Sequence, residues 1–280
     1  MKEGIKTIAW TFLAAAVYYA LEALFNVIFP FVMQGVSSVR EGTDRLILIN
    51  LVLKLVVMLV FGFWYILQER TWPGRPDYRS VLRPKRICCL VGTGLFGQYS
   101  LGILLILMKL MIPEAFAEYE KVTEVLSLRG GGAVLTIVMV VVIGPLAEEL
   151  LFRGVLYGRL RRSFTVTQAA VISAAIFGIY HKNIVQGVYA ALFGLLLAYT
   201  FEKTQTIWGC VIMHMMFNLS SYLVKGILGL MQKIGIWVPD VAYLVLYVAS
   251  IVIIIVCVWS LHKLPGRYDK GKKRLEMSEK

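Results

Sequence analysis

The chain has 280 residues, of which 59% are hydrophobic and 16% are charged, and its mean hydropathy is +0.74. Soluble globular domains are usually about 45–50% apolar and about 25% charged, so this composition excludes an ordinary soluble protein and indicates an integral membrane protein. The formal net charge of +12 is large, and its placement along the chain decides what it means.

Apolar stretches long enough to cross a bilayer recur along the whole chain, since about 20 such residues span roughly 30 Å of hydrocarbon. No linker separates these stretches, and the chain shows no internal repeat. We therefore predict a single membrane domain over 1–280. The predicted fold is an all-α polytopic bundle of about eight transmembrane helices, at 8–33, 46–67, 87–112, 133–158, 165–181, 184–201, 206–224 and 241–261. The first stretch opens like a signal peptide but continues far beyond signal length, and we therefore expect an uncleaved span.

The basic residues are distributed unequally between the predicted loops. With both termini in the cytoplasm, 19 Lys and Arg fall on the inner side and 7 on the outer side, as the positive-inside rule requires. We interpret the charge as topological, with contact to anionic membrane lipids and no nucleic-acid partner. The tail, 263–280, is predicted to be flexible, basic and cytoplasmic, in a multi-pass protein of a bacterial plasma membrane.

The segment 113–132 differs from the spans around it. Ala115, Tyr119 and Val122 recur at helical spacing, and charged residues take the opposite face. This pattern predicts an amphipathic helix at the outer surface. A plain connector is the simpler interpretation of such a helix, and a lid is the alternative.

Three charges stand alone within the spans. Lys109 lies close enough to a span end for its ammonium to reach the surface. We predict that Lys54 and Glu22 pair across the first two spans, because an unpaired charge inside a membrane is costly. The four cysteines show no metal or redox spacing and are expected to be structural.

A second group of polar residues lies within the spans of the predicted core, about 133–225: Glu148, Glu149, Arg153, His181, His214 and Asn218. Glu149 and Arg153 are four residues apart, which predicts an ion pair along one helix. Glu148 projects about 100° away from Glu149 and is free to face another helix. Polar clusters at membrane depth are functional by default.

A glutamate, two histidines and an asparagine suit peptide-bond hydrolysis. The carboxylate can take a proton from water that a histidine orients, and the other histidine and the amide can donate hydrogen bonds to an oxyanion. Zinc held by Glu148, His181 and His214 is the alternative, although there is no HExxH helix. No serine or cysteine is paired with a base, which disfavours a covalent nucleophile.

Three short motifs resemble one known family in content and order. "EELLFR" (148–153), "FGIYH" (177–181) and "HMMFN" (214–218) are similar to the EExxxR, FxxxH and HxxxN motifs of the CPBP intramembrane proteases, which include CAAX prenyl endopeptidases, bacteriocin-processing and immunity proteins, and Abi-type proteins. The resemblance covers about 140–220 and implies an all-helical bundle with a cavity between helices.

The resemblance also implies a role for each matching residue. Glu148 would be the catalytic base, with His181 helping to activate water, and His214 and Asn218 would form the oxyanion hole. Glu149, Arg153 and Phe177 would support the site. A glutamate-type peptidase without a cofactor is favoured over a zinc enzyme.

The substrate is expected to be a membrane-associated or secreted peptide, with or without a lipid modification, and the sequence does not give the oligomeric state. Two non-peptidase interpretations remain. One is a non-catalytic scaffold or bacteriocin-immunity protein with the same fold, and the other is a proton-coupled transporter, because buried Glu and His also form proton relays.

Overall fold

The computed structural model describes residues 2–34, 43–71, 81–125 and 133–263. All regular elements in these ranges are helices, which confirms the all-α fold. They are α1 (Lys2–Gln34), α2 (Thr43–Arg70), α3 (Pro84–Ser100), α4 (Gly102–Met111), α5 (Pro113–Val125), α6 (133–160), α7 (Val166–Tyr180), α8 (Ile184–Thr204), α9 (Ile207–Lys233) and α10 (Asp240–His262).

Seven helical stretches in the described part of the chain are long and apolar enough to cross a membrane: Gly4–Ile28, Leu48–Arg70, Pro84–Met111, Val134–Leu160, Ile184–Thr204, Ile207–Lys233 and Asp240–His262. Their outer faces expose large apolar side chains, such as Leu59, Leu110 and Trp259. The chain is therefore a multi-pass membrane protein. Which side each terminus takes stays a prediction. The predicted tail from 264 onward and the end of the 113–132 segment, from 126, lie outside the described residues.

The fifth predicted span, 165–181, differs from the rest. It corresponds to α7, which has only 15 residues and is about 22 Å long at 1.5 Å per residue, short of the roughly 30 Å hydrocarbon thickness. A capping box between Thr165 and Gln168 fixes where α7 begins. Its other end is followed by His181, whose side chain lines a cavity between the helices.

The central helix, α6, is not uniformly α-helical. Two α-helical pieces, Ala133–Ile137 and Gly144–Glu149, are each followed by a π-helical piece, Val138–Ile143 and Leu150–Tyr157, and Gly158–Leu160 completes the helix. π-helical turns inside α-helices are rare and occur often at functional sites. The two adjacent glutamates lie between the two π-helical pieces of α6.

A side chain from α2 hydrogen-bonds to the second π-helical piece. The amide Nε2 of Gln68 donates to the carbonyl oxygens of Gly154 at 3.0 Å and Val155 at 3.2 Å. The Val155 carbonyl also accepts from the backbone N–H of Gly158, so Gln68 adds a second donor there and ties α2 to the wider helical turn.

The helices α7 and α8 approach each other unusually closely. A Cβ atom added at Gly178 would lie 2.6 Å from the carbonyl oxygen of Gly187, and one added at Gly187 would lie 3.0 Å from the carbonyl oxygen of Gly178. Only glycine at this crossing allows the two backbones to meet. The crossing holds the end of α7, and with it His181, against the body of the bundle.

Candidate active site

The two adjacent glutamates on α6, Glu148 and Glu149, lie in different surroundings. Glu149 is completely buried, and its Oε1 accepts hydrogen bonds from Arg153 at 3.0 Å and from Nδ1 of His214 at 2.8 Å. Glu148 instead lines a cavity, with its Oε2 lying 3.8 Å from Nε2 of His214. The predicted separation of the two carboxylates around the helix axis is therefore present in the structure.

Arg153 is the largest fully buried side chain in the described part of the chain. Its guanidinium donates to Glu149 and, at 3.1 Å, to the carbonyl oxygen of Gly194 on α8, and it lies 4.6 Å from the ring centroid of Phe177. The ion pair that the spacing predicted is confirmed. Because a buried charge is tolerated only when it is paired, this pair makes the polar cluster compatible with its depth.

His214 on α9 is fixed by Glu149. The carboxylate can only accept, so Nδ1 of His214 donates the proton of their 2.8 Å bond. Its Nε2 faces Glu148 and carries a proton only when the ring is an imidazolium. The rings of Phe177 and Phe193 pack edge-on against it, with centroids 5.9 and 5.4 Å away.

His181 follows the last residue of α7. Its Nδ1 lies 2.8 Å from the carbonyl oxygen of Phe177, which accepts, so Nδ1 carries the proton and Nε2 of the neutral ring is an acceptor. An acceptor at Nε2 suits a group that orients water. The rings of Phe177 and His181 are perpendicular, with centroids 4.8 Å apart.

Asn218, one turn after His214 on α9, also lines the cavity. Its Nδ2 donates to the carbonyl oxygen of Val140 on α6 at 2.8 Å. An asparagine amide has two N–H groups, so one proton remains for another acceptor.

Two further side chains of the site were not predicted. The ammonium of Lys54 on α2 lies 2.8 Å from Oε1 of Glu148 and is hydrogen-bonded to the hydroxyl of Tyr180. The predicted pair between Lys54 and Glu22 is wrong, because Glu22 instead bonds Lys182 at 2.7 Å. Charge balance could have predicted the contact between Lys54 and Glu148, because the Glu149–Arg153 pair leaves Glu148 without a counter-ion on its own helix.

All four predicted catalytic residues, Glu148, His181, His214 and Asn218, line one cavity of about 380 Å³. The residues that line the cavity come from α2, α3, α5, α6, α8 and α9 and from the end of α7. The motif resemblance implied a cavity between helices, as the structure has it.

The predicted amphipathic helix is present as α5 over 113–125 and lies across the cavity. Tyr119, Val122 and Thr123 contribute to its lining, and the ring of Tyr119 packs against Tyr189 of α8 with centroids 6.0 Å apart. Burial raises the pKa of the Tyr119 hydroxyl, which therefore stays neutral. This helix does more than connect two spans, because it forms part of the wall.

The side chains present do not fit a zinc site as they are arranged. Among the described residues, no group of three or more His, Cys, Asp and Glu is placed to hold a metal ion. Oε1 of Glu148 also holds the ammonium of Lys54, a cation that would compete with a metal ion for this carboxylate.

Comparison with known proteins gives an independent indication of what the site is. Residues 130–220 match the family model described as Type II CAAX prenyl endopeptidase Rce1-like. A Bacillus subtilis (strain 168) protein named "Putative membrane peptidase YdiL" is 31% identical over 84 residues, which are 30% of this chain and 34% of that protein. The chain therefore matches about a third of the length of this relative. No solved structure matches the chain.

Proposed function

Residues 130–220 resemble the CAAX-protease members of the CPBP family, as the three motifs indicated, and we propose that the protein is an intramembrane endopeptidase of this type. One observation carries the proposal: the four side chains singled out by the motifs line a single cavity within a membrane-spanning bundle. Its substrate would be a membrane-associated or secreted peptide, with or without a lipid modification, that enters this cavity from the membrane.

The chemistry begins with a water molecule between Glu148 and His181. Nε2 of His181 accepts a hydrogen bond from this water and orients it, while Oε2 of Glu148 takes its other proton. The water oxygen forms a bond to the carbonyl carbon of the peptide, and the C=O electron pair moves onto the carbonyl oxygen. The C–N bond then breaks, and Glu148 returns its proton to the leaving amine.

The oxyanion formed in the first step needs donors. The second N–H of Asn218 is one, and Nε2–H of His214 is the other when the ring is an imidazolium. Glu149, which accepts the proton of Nδ1 at 2.8 Å, holds the ring so that Nε2 faces Glu148. Removing one such donor typically slows catalysis by about 10²–10³-fold.

The test is cleavage of a quenched peptide library by the purified protein in nanodiscs. Glu148→Gln should abolish cleavage, whereas the matched control Glu114→Gln, at an exposed glutamate of α5, should leave it unchanged. Each protein is assayed with and without a zinc chelator. Cleavage that survives the chelator supports a glutamate-type peptidase, and cleavage that the chelator abolishes supports the zinc alternative. If the wild-type protein leaves the whole library and added membrane peptides intact, the endopeptidase proposal fails and a non-catalytic role replaces it.

A further inference from the structure

We propose that Lys54 is a positioning residue of this active site: its ammonium, together with the Tyr180 hydroxyl, holds Oε1 of Glu148 and leaves Oε2 as the oxygen that accepts the proton of water. This inference rests on the proposed function for its catalytic part. Its structural part, the control of Glu148 by Lys54, can be tested without any substrate.

Lys54 is an unusual residue for its position. It lies in the span Leu48–Arg70 of α2, and its side chain is only 15% exposed. A lysine at that depth is costly unless it is paired. Its partners are Glu148, at 2.8 Å, and Tyr180, whose hydroxyl it contacts and whose ring centroid lies 5.0 Å from the ammonium.

These contacts make the two oxygens of Glu148 different. Oε1 accepts from Lys54 and lies 3.5 Å from the hydroxyl of Tyr180. Oε2 lies 3.8 Å from Nε2 of His214, beyond hydrogen-bond distance. The oxygen with unused acceptor capacity is therefore Oε2, on the side of the carboxylate that faces the histidine.

The ammonium also affects the charge of Glu148. A general base must be ionised before it can take a proton, and a nearby cation favours the ionised form of a carboxylate. Among the described residues, the other titratable groups around Glu148 are His214 on α9, Tyr189 on α8, and Tyr180 and His181 at the end of α7. Glu149 and Arg153, on the same helix, are paired with each other. Among these neighbours, Lys54 is the lysine whose ammonium bonds directly to the carboxylate of Glu148.

A dicyclohexylcarbodiimide labelling experiment tests the contact without proteolysis. This reagent modifies protonated carboxyl groups in apolar surroundings, and mass spectrometry of the peptide containing Glu148 gives the rate. At neutral pH, Lys54→Met should raise the labelling rate of Glu148 by about 10-fold or more, because the carboxylate loses its neighbouring cation. Lys54→Arg, which keeps the charge, should give a smaller increase. Lys233→Met, at an exposed lysine ending α9, is the matched control and should behave as wild type.

Cleavage kinetics then test the positioning role. Lys54→Met should lower kcat by about 10²-fold with little change in KM, because it alters a group that acts in the transition state, and the acid side of its pH profile should move to higher pH. Lys54→Arg should recover part of the loss.

Each outcome has a separate meaning. Equal labelling of Glu148 in wild type and Lys54→Met overturns the proposal outright. Altered labelling with unchanged kcat reduces Lys54 to a counter-ion and overturns the positioning role. Absence of cleavage by the wild type contradicts the proposed function instead. The labelling result still decides whether Lys54 keeps the carboxylate of Glu148 ionised.

Discussion

Asn218 donates its amide proton to the carbonyl oxygen of Val140 at 2.8 Å, and this carbonyl is the one that Pro145 leaves without a backbone donor. The N–H of Gly144 bonds to the carbonyl of Met139, five residues earlier. With the same spacing of five residues, the donor to the carbonyl of Val140 would be the backbone N–H of residue 145. That residue is a proline, which has no N–H. The motif asparagine therefore completes the first π-helical piece of α6 as well as facing the cavity.

These two roles of Asn218 can be separated. Asn218→Ala should cost about 1–3 kcal/mol of stability, because a buried carbonyl loses its donor, and should lower kcat by about 10²–10³-fold if the amide also serves the oxyanion. Adding Pro145→Ala supplies a backbone N–H and should restore much of the thermal stability, measured by unfolding in detergent. Recovery of both stability and kcat in the double variant would show that Asn218 is only structural.

The Glu149–Arg153 pair should be essential to folding. Glu149→Gln leaves the fully buried guanidinium of Arg153 uncompensated and should destabilise the protein by about 3–5 kcal/mol. The double variant Glu149→Gln/Arg153→Met removes both charges and should be more stable than the single variant, while remaining inactive because His214 loses its anionic partner. Thermal unfolding of the wild type, Glu149→Gln, Arg153→Met and the double variant checks this. Additive losses from the two single variants would contradict a coupled pair.

The close crossing of α7 and α8 should be sensitive to a single methyl group. Gly178→Ala places a Cβ 2.6 Å from the backbone of Gly187, so the helices must separate, at about 1–3 kcal/mol, and His181 must move with α7. We expect lower stability and lower kcat together. Gly226→Ala on α9 is the matched control, since its Cβ meets nothing within 4 Å, and it should be neutral or slightly stabilising. A fully active Gly178→Ala protein would show that the position of His181 does not depend on this crossing.

Gln68 should stabilise the second π-helical piece. Gln68→Leu keeps the approximate volume but removes the side-chain hydrogen bonds to the carbonyls of Gly154 and Val155, and a loss of about 0.5–1.5 kcal/mol is expected for a lost intramolecular hydrogen bond. Thermal unfolding measures the loss, with Gln232→Leu at an exposed position of α9 as the control. Equal stability of the two variants would mean that the π-helical geometry does not need Gln68.

Much of the site was predictable from local sequence. The Glu149–Arg153 pair and the shared face of His214 and Asn218 follow from a spacing of four residues, because helix periodicity fixes which side chains of one helix are neighbours. Composition was sufficient to place the chain in a membrane, because repeated apolar stretches of about 20 residues are typical of transmembrane helices.

The tertiary structure alone decided the partners across helices. Lys54 was predicted to meet Glu22 and instead meets Glu148, while Glu22 meets Lys182, because periodicity within one helix does not determine how far that helix is rotated or shifted against its neighbours. The bond from Asn218 to Val140 and the early end of α7 at His181 depend on the same packing. The sequence by itself determined the membrane class and the chemical groups, and the packing of seven helices determined which of those groups share one cavity.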